Sequence, residues 1–169
     1  EAAYSNTTGA SNTATGTQAM QYNTTGSYNT SNGTLSLLRN TTGFNNTGIG
    51  FGALNLNTTG AYNTAIGCTA LLNNVGSSNT AVGEKAMQSN TSGYNNAVLG
   101  SGALQNNLGG FDNTAVGFQS LYHNNTNYNS AFGYQSLYNT TNGNYNTAIG
   151  YQAGFNNNTG SVNLFEGEH

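Results

Sequence analysis

Apolar and polar positions alternate along this chain on a fixed schedule. The string Asn63-Thr64-Ala65-Ile66-Gly67 returns as Asn79-Thr80-Ala81-Val82-Gly83, Asn113-Thr114-Ala115-Val116-Gly117 and Asn146-Thr147-Ala148-Ile149-Gly150. Repeats open at Asn12, Asn29, Asn46, Asn63, Asn79, Asn96, Asn113, Asn129, Asn146 and Asn163, at spacings of 17, 17, 17, 16, 17, 17, 16, 17 and 17 residues. With that Asn as position one, position five is Gly in every copy: Gly16, Gly33, Gly50, Gly67, Gly83, Gly100, Gly117, Gly133, Gly150 and Gly167. Random low complexity does not hold register over so many periods, and a fixed period of this kind marks a stacked repeat architecture.

The pattern inside each repeat predicts its elements. The opening five residues carry β-branched or bulky apolar side chains and end on the corner Gly, which reads as a short strand. Positions eight and nine pair a small residue with Leu or Met, as in Ala53-Leu54, Ala86-Met87 and Ser136-Leu137. The last third is Asn-Thr-Thr-Gly or a close variant, which is turn chemistry. The repeat is therefore expected to be a strand, a corner, a second extended segment and a turn. Helix is disfavoured: the Tyr-Gln-Ala-Leu stretches span about four residues, against roughly 12 for a stable isolated helix. One repeat cannot bury its own apolar pair, so copies must stack. This predicts an all-β parallel β-solenoid of about ten coils, one repeat per coil, with equivalent residues about 4.8 Å apart. The whole chain reads as one repeat domain: a partial coil over 1–11, nine full repeats over 12–162 and a degenerate last coil over 163–169.

Two core columns are expected. One is Ile49, Ile66, Val82, Leu99, Val116, Phe132 and Ile149; the other is Met20, Leu37, Leu54, Leu71, Met87, Leu104, Leu121 and Leu137. Strand alternation then turns Ala65, Ala81, Ala115, Ala131 and Ala148 outward. A face of Ala and Gly would let a second surface, such as another chain, approach closely. The opening Asn column is expected to form a side-chain ladder from coil to coil.

The core string is similar to the head repeats of YadA-type trimeric autotransporter adhesins, which carry S-V-A-I-G-x-x-A/S runs. Asn-Thr-Ala-Ile-Gly-Cys-Thr-Ala at 63–70 and Asn-Thr-Ala-Ile-Gly-Tyr-Gln-Ala at 146–153 carry the resemblance. Similar N-T-A-I-G-Y-Q-A-L arrays occur in tail-fibre-like surface repeat proteins. The resemblance covers nearly the whole chain, with the first copies degenerate at Thr15 and Asn32. It implies a left-handed β-roll, usually trimeric, displayed outside the cell for adhesion. The family repeat is shorter, the extra length here falling in the Asn-Thr-Thr-Gly turn.

Composition narrows the function classes. Of 169 residues, 32 are Asn, 24 Thr, 24 Gly and 14 Ser, while Lys plus Arg number 2, Asp plus Glu number 5, and Pro and Trp are absent. Two basic residues cannot neutralise a phosphate backbone, which argues against nucleic-acid binding. No apolar run approaches the roughly 18 residues of a membrane span. Missing charge also suits in-register stacking, where a charge repeated in every coil would face its own copy.

The chemical inventory is short: Glu1, Glu84, Asp112, Glu166, Glu168, Lys85, Arg39, His123, His169 and Cys68. The acidic groups fall in different repeats and phases, apart from Glu166 and Glu168 near the end. The two His sit at different repeat phases, which disfavours a shared metal site. Catalysis, metal binding and cofactors are therefore not expected. Asn-x-Ser/Thr sequons raise N-glycosylation instead, at Asn6, Asn23, Asn40, Asn57, Asn90, Asn124 and Asn157 on one phase of an exposed turn, and at Asn139 one residue away. A Thr column at position two (Thr13, Thr30, Thr47, Thr64, Thr80, Thr114, Thr147) raises an ice-binding face, and aromatic columns at positions six and ten raise sugar stacking. Glu1 and His169 fall at the same repeat phase, so head-to-tail self-assembly is expected, with a homotrimer as the other self-association. The function expected is a structural subunit or segment of an extracellular or cell-surface fibre, in which Asn-Thr-Thr-Gly is either a plain turn or an N-glycan acceptor. A carbohydrate-binding adhesin is the alternative, and an ice-binding solenoid is third.

Overall fold

A computed structural model of the chain describes residues 1–167. Its strands are β1 (Thr13–Thr15), β2 (Thr30–Asn32), β3 (Thr47–Ile49), β4 (Thr64–Ile66), β5 (Thr80–Val82), β6 (Ala97–Leu99), β7 (Thr114–Val116), β8 (Ser130–Phe132), β9 (Thr147–Ile149) and β10 (Leu164–Glu166). All ten form one sheet in sequence order, and every pair is parallel. Register keeps equal repeat positions together: Thr47, Gly48 and Ile49 lie beside Thr64, Ala65 and Ile66. The described residues contain no helix, and the architecture is the expected β-solenoid.

Both 16-residue spacings lose their residue in the same place. Asn57-Thr58-Thr59-Gly60 becomes Asn74-Val75-Gly76, and in the later short coil Thr126 supplies the carbonyl that Gly supplies elsewhere, accepting from Asn113 Nδ2 at 2.7 Å. The turn absorbs the deletion, so the strands on either side keep register.

The segment after the corner Gly departs from expectation. It is a wound turn rather than an extended run. Its seventh and ninth residues are left-handed in coil after coil, as at Gln119 (φ 52°) and Leu121 (φ 51°), and so is the last residue of the repeat, as at Tyr128 (φ 59°). A non-Gly residue in this region costs roughly 1–2 kcal/mol. The stack offsets it, because such N–H groups reach carbonyls of an adjacent coil: Leu54 to Ala70 at 3.0 Å, Leu35 to Thr17 at 2.9 Å, Tyr62 to Phe44 at 3.1 Å.

The strand faces are the reverse of those expected. Ala65, Ala81, Ala115, Ala131 and Ala148 are fully buried, while Leu99 is 53 % exposed, Ile149 is 50 % exposed, and Ile49, Ile66 and Phe132 are also exposed. Val82 and Val116 are half-buried. The Leu/Met column is fully buried as expected. The reason is the width of the coil. A Cβ at Gly48, in the Ala column, would lie 2.6 Å from Ser36 Oγ and 3.4 Å from Leu37 Cγ. Opposite a left-handed Leu or Met and its small neighbour the space suits a small side chain, Ala in most coils with Ser31 and Val98 in two others. The bulky residue of the strand goes outward, and the Ala face offers no surface to another chain.

Two Gly columns permit the close stacking. At Gly67 (φ 133°) a Cβ would lie 2.5 Å from the Gly83 carbonyl oxygen, and at Gly93 it would lie 2.4 Å from the Gly110 oxygen. A side chain at either place would push coils apart.

Candidate functional site

The expected Asn ladder at position one is present, with a geometry set by the backbone. Each side-chain oxygen accepts the main-chain N–H of the next Asn, as from Asn46 to Asn29 at 2.9 Å and from Asn63 to Asn46 at 3.0 Å. The amide nitrogen donates to a turn carbonyl of the coil above, as Asn46 to Gly60 at 2.8 Å. The contacts continue to the end of the column, where Asn163 N donates to Asn146 at 3.1 Å.

A second ladder, not foreseen, runs through position twelve. Asn23 donates to Asn6 at 2.8 Å, Asn40 to Asn23 at 2.7 Å, Asn57 to Asn40 at 3.1 Å, Asn74 to Asn57 at 3.2 Å, Asn90 to Asn74 at 2.6 Å and Asn107 to Asn90 at 2.8 Å. Each donor nitrogen also reaches a Gly carbonyl of its own turn, as Asn90 to Gly93 at 3.0 Å. Thr140 takes this position in one coil, where its hydroxyl donates to the Asn157 carbonyl at 2.8 Å.

This ladder corrects the expectation of a glycan column. Asn23, Asn40, Asn57, Asn90 and Asn124 are fully buried, and each amide nitrogen is already donating within the stack. A glycan on that nitrogen cannot coexist with the packed coil. Asn6 is exposed, and Asn139 and Asn157 are half-buried. The sequence signal that could have exposed the ladder is the phase itself: an Asn kept at one position in nearly every coil has a copy above and below to bond.

The reactive side chains stay dispersed. Glu84 and Lys85 form a 3.4 Å ion pair with both side chains well exposed. Cys68 is an exposed free thiol. His123 Nδ1 lies 3.3 Å from Asn106 Nδ2, and its ring meets Tyr122 and Tyr138 edge-on. No group of three His, Cys, Asp or Glu side chains suited to a metal occurs among the described residues. Glu168 and His169 lie outside those residues. No helix among them is long and apolar enough to cross a membrane.

The outer surface divides into columns. The Thr column at position two faces outward or partly so, but it lies beside a column that varies from Val to Phe, so the face is uneven. The aromatic columns form stacks in the later coils. Phe118, Tyr134 and Tyr151 stack at 5.4 and 5.2 Å, and Tyr122, Tyr138 and Phe155 at 5.0 and 5.1 Å. Tyr94, Phe111, Tyr128 and Tyr145 make a third set near the end of the repeat. Burial among these rings lifts the Tyr138 phenol above its ordinary value, and Tyr122 and Tyr134 add to the lift.

Hollows interrupt this surface. One lies beside the last coil, lined by Phe155, Phe165 and Glu166 among others. Here position nine is Gly154, and the Phe165 ring of the next coil occupies the space that Leu fills elsewhere, close to both Gly154 and Leu137. A second is a groove beside Tyr22, Arg39, Thr41 and Thr58. A third is a notch of about 270 Å³ between Glu84-Lys85 and Phe118, floored by Ser101-Gly102.

Comparison with family models, with curated proteins and with solved structures yields no match.

Proposed function

We propose that this chain is a structural subunit or segment of an extracellular fibre, acting as a stiff rod. The observation that supports this reading is the continuity of the ladders: side-chain and main-chain bonds link coil to coil from Asn12 to Asn163 along one axis. Bending such a rod strains several hydrogen bonds at each joint, and each is worth about 1 kcal/mol net. Side chains suited to catalysis are few and scattered, so the reading is mechanical rather than enzymatic. Self-association would extend the same pattern, since an in-register parallel stack templates further copies.

Electron microscopy of the purified protein tests this. Filaments many times longer than the roughly 45 Å spanned by ten strands, with a layer spacing near 4.8 Å along the axis, are the expected result. Isolated particles of monomer length at every concentration, or flexible bent chains, would overturn it.

A further inference from the structure

The notch at Ser101-Gly102 is the place where two outer columns are interrupted together. Position six carries Glu84, then Ser101, then Phe118; position seven carries Lys85, then Gly102, then Gln119. Ser101 and Gly102 supply almost no side chain, so one layer of the surface is missing between two filled layers. The walls therefore stand two coil spacings apart, about 9.6 Å. One ring lying in the gap would sit about 4.8 Å from either wall, the spacing of the stack itself.

The walls differ in chemistry. On one side, Phe118 and Tyr122 begin the two aromatic stacks. Each is covered by Tyr134 or Tyr138 on the far face, and no aromatic side chain precedes either on the near one. The near face of Phe118 looks toward the gap, while Tyr122 stands over Gln105 and lines the gap beside Gly102. On the other side stands the Glu84–Lys85 pair, which brings an acceptor and a donor but no net charge. The floor adds amides. A Cβ at Gly102 would lie 3.2 Å from the Gln119 side chain, 3.3 Å from Gln105 Oε1 and 3.7 Å from the Tyr122 ring. The nitrogen of Gln105 is engaged with Gln88, and the oxygen of Gln119 with Gln135. That leaves the Gln105 amide oxygen beside the notch, and the Gln119 amide nitrogen, on a side chain that lines it, without a protein partner.

We propose that this notch is a carbohydrate subsite that takes a single neutral pyranose ring. The ring's C–H face would stack on Phe118, with Tyr122 bordering it, as aromatic faces favour apolar, weakly positive C–H groups. Its equatorial hydroxyls would reach Gln105 Oε1, Gln119 Nε2, Glu84 and Lys85, each able to use the two-way hydrogen bonding of a hydroxyl. A cationic or anionic ligand would meet a wall whose charges cancel. A flat aromatic ligand would leave the pair and the two amides without partners. The cavity volume, about 270 Å³, admits one such ring. The subsite is independent of whether rods assemble into fibres.

The test uses the whole chain and three probes: methyl β-D-glucopyranoside, methyl β-D-galactopyranoside and methyl N-acetyl-β-D-glucosaminide. Saturation-transfer NMR and the ring proton shifts of Phe118 and Tyr122 report binding. At least one probe is expected to bind with a Kd on the order of 1 mM, as befits one ring on an open surface. Gly102→Gln fills the notch with the residue that position seven carries at Gln18, Gln119, Gln135 and Gln152, all left-handed, so its fold should be kept. It is expected to abolish binding, and Phe118→Ala to weaken it about tenfold. Tyr151→Ala, in the same column two coils away, should leave binding unchanged. No binding by any of the three glycosides would overturn the proposal. So would binding that survives Gly102→Gln, or phenol binding in the notch when no glycoside does.

Discussion

The leucine column at position nine and the asparagine column at position twelve are both sealed from water, three residues apart in every coil. They hold the rod in different ways. Leu54, Leu71 and Leu104 pack against Ala and one another, and their contribution is the area removed from water, about 1.5–3 kcal/mol for each Leu. That force has no direction, so Met20 and Met87 serve equally well, and Gly154 is tolerated where Phe165 fills the space. The Asn column contributes through directed bonds: each amide must find an oxygen below it and a carbonyl in its own turn. It accepts Thr140, which keeps one donor, but no apolar residue stands there in any complete coil. Gln21 Oε1 is the one buried side-chain polar atom without a partner among the described residues. Apolar columns tolerate exchange by volume, whereas amide columns tolerate it only by hydrogen-bonding pattern.

Placing the wrong chemistry in a column should have the largest effect. Leu71→Asn buries an amide with no partner and loses the apolar contacts, for an expected cost of about 4–5 kcal/mol. Leu71→Ala keeps the chemistry and leaves a cavity, at about 2–4 kcal/mol. Urea unfolding followed by tyrosine fluorescence and circular dichroism checks both, and equal costs for the two variants would break the distinction. In the other column, Asn90→Ala removes three bonds, to Asn74, Gly93 and Asn107, at a cost of about 2–3 kcal/mol. Asn90→Thr should recover about half of that, following the arrangement at Thr140. Matching losses for Ala and Thr would show that shape, not bonding, governs the column.

The smallest effect concerns the outer stacks. Because its pKa is raised in the fold, neutral Tyr138 stabilises the folded state. That contribution is complete below the ordinary value of 10.0 and is lost as pH rises from there through the folded value. Tyr138→Phe keeps the ring stack and removes the titration. Phenolate absorbance and the alkaline unfolding midpoint of the two proteins should differ slightly, with the Phe variant the more alkali-resistant. An identical alkaline midpoint would remove Tyr138 as a contributor.

The period, the corner Gly, the Leu/Met column and the first Asn ladder were legible because each depends only on a residue recurring at one phase. The strand faces were not. Alternation says that Ala65 and Ile66 point opposite ways, but not which way is inward. The deciding fact is the left-handed backbone at Leu54, Leu71 and their equivalents, and Leu has no propensity that announces it. Once Leu or Met occupies the middle of the coil, only a small residue fits opposite, Ala in most coils and Val at 98, and Phe165 stands there beside Gly154, which has replaced Leu. The buried Asn column was misread for a related reason. Asn-Thr-Thr-Gly has the composition of an exposed turn, and an isolated turn of this kind would be exposed. Stacking gives every Asn a neighbour at hydrogen-bond distance, and satisfied amides can be buried. The notch was invisible to composition because it arises from two small residues, Ser101 and Gly102, falling in one layer of two adjacent columns.

The bonds of the second ladder all run the same way, each amide giving its hydrogen to the coil nearer the start of the chain. The Gln side chains do the same, Gln105 toward Gln88 and Gln152 toward Gln135. An amide carries a dipole of about 3.5 D, and dipoles aligned head to tail add. This column is thus electrically polar along the axis although it carries no charge, while the first ladder's amides, such as Asn46 to Gly60, and the Thr41 hydroxyl to Thr58 donate the other way.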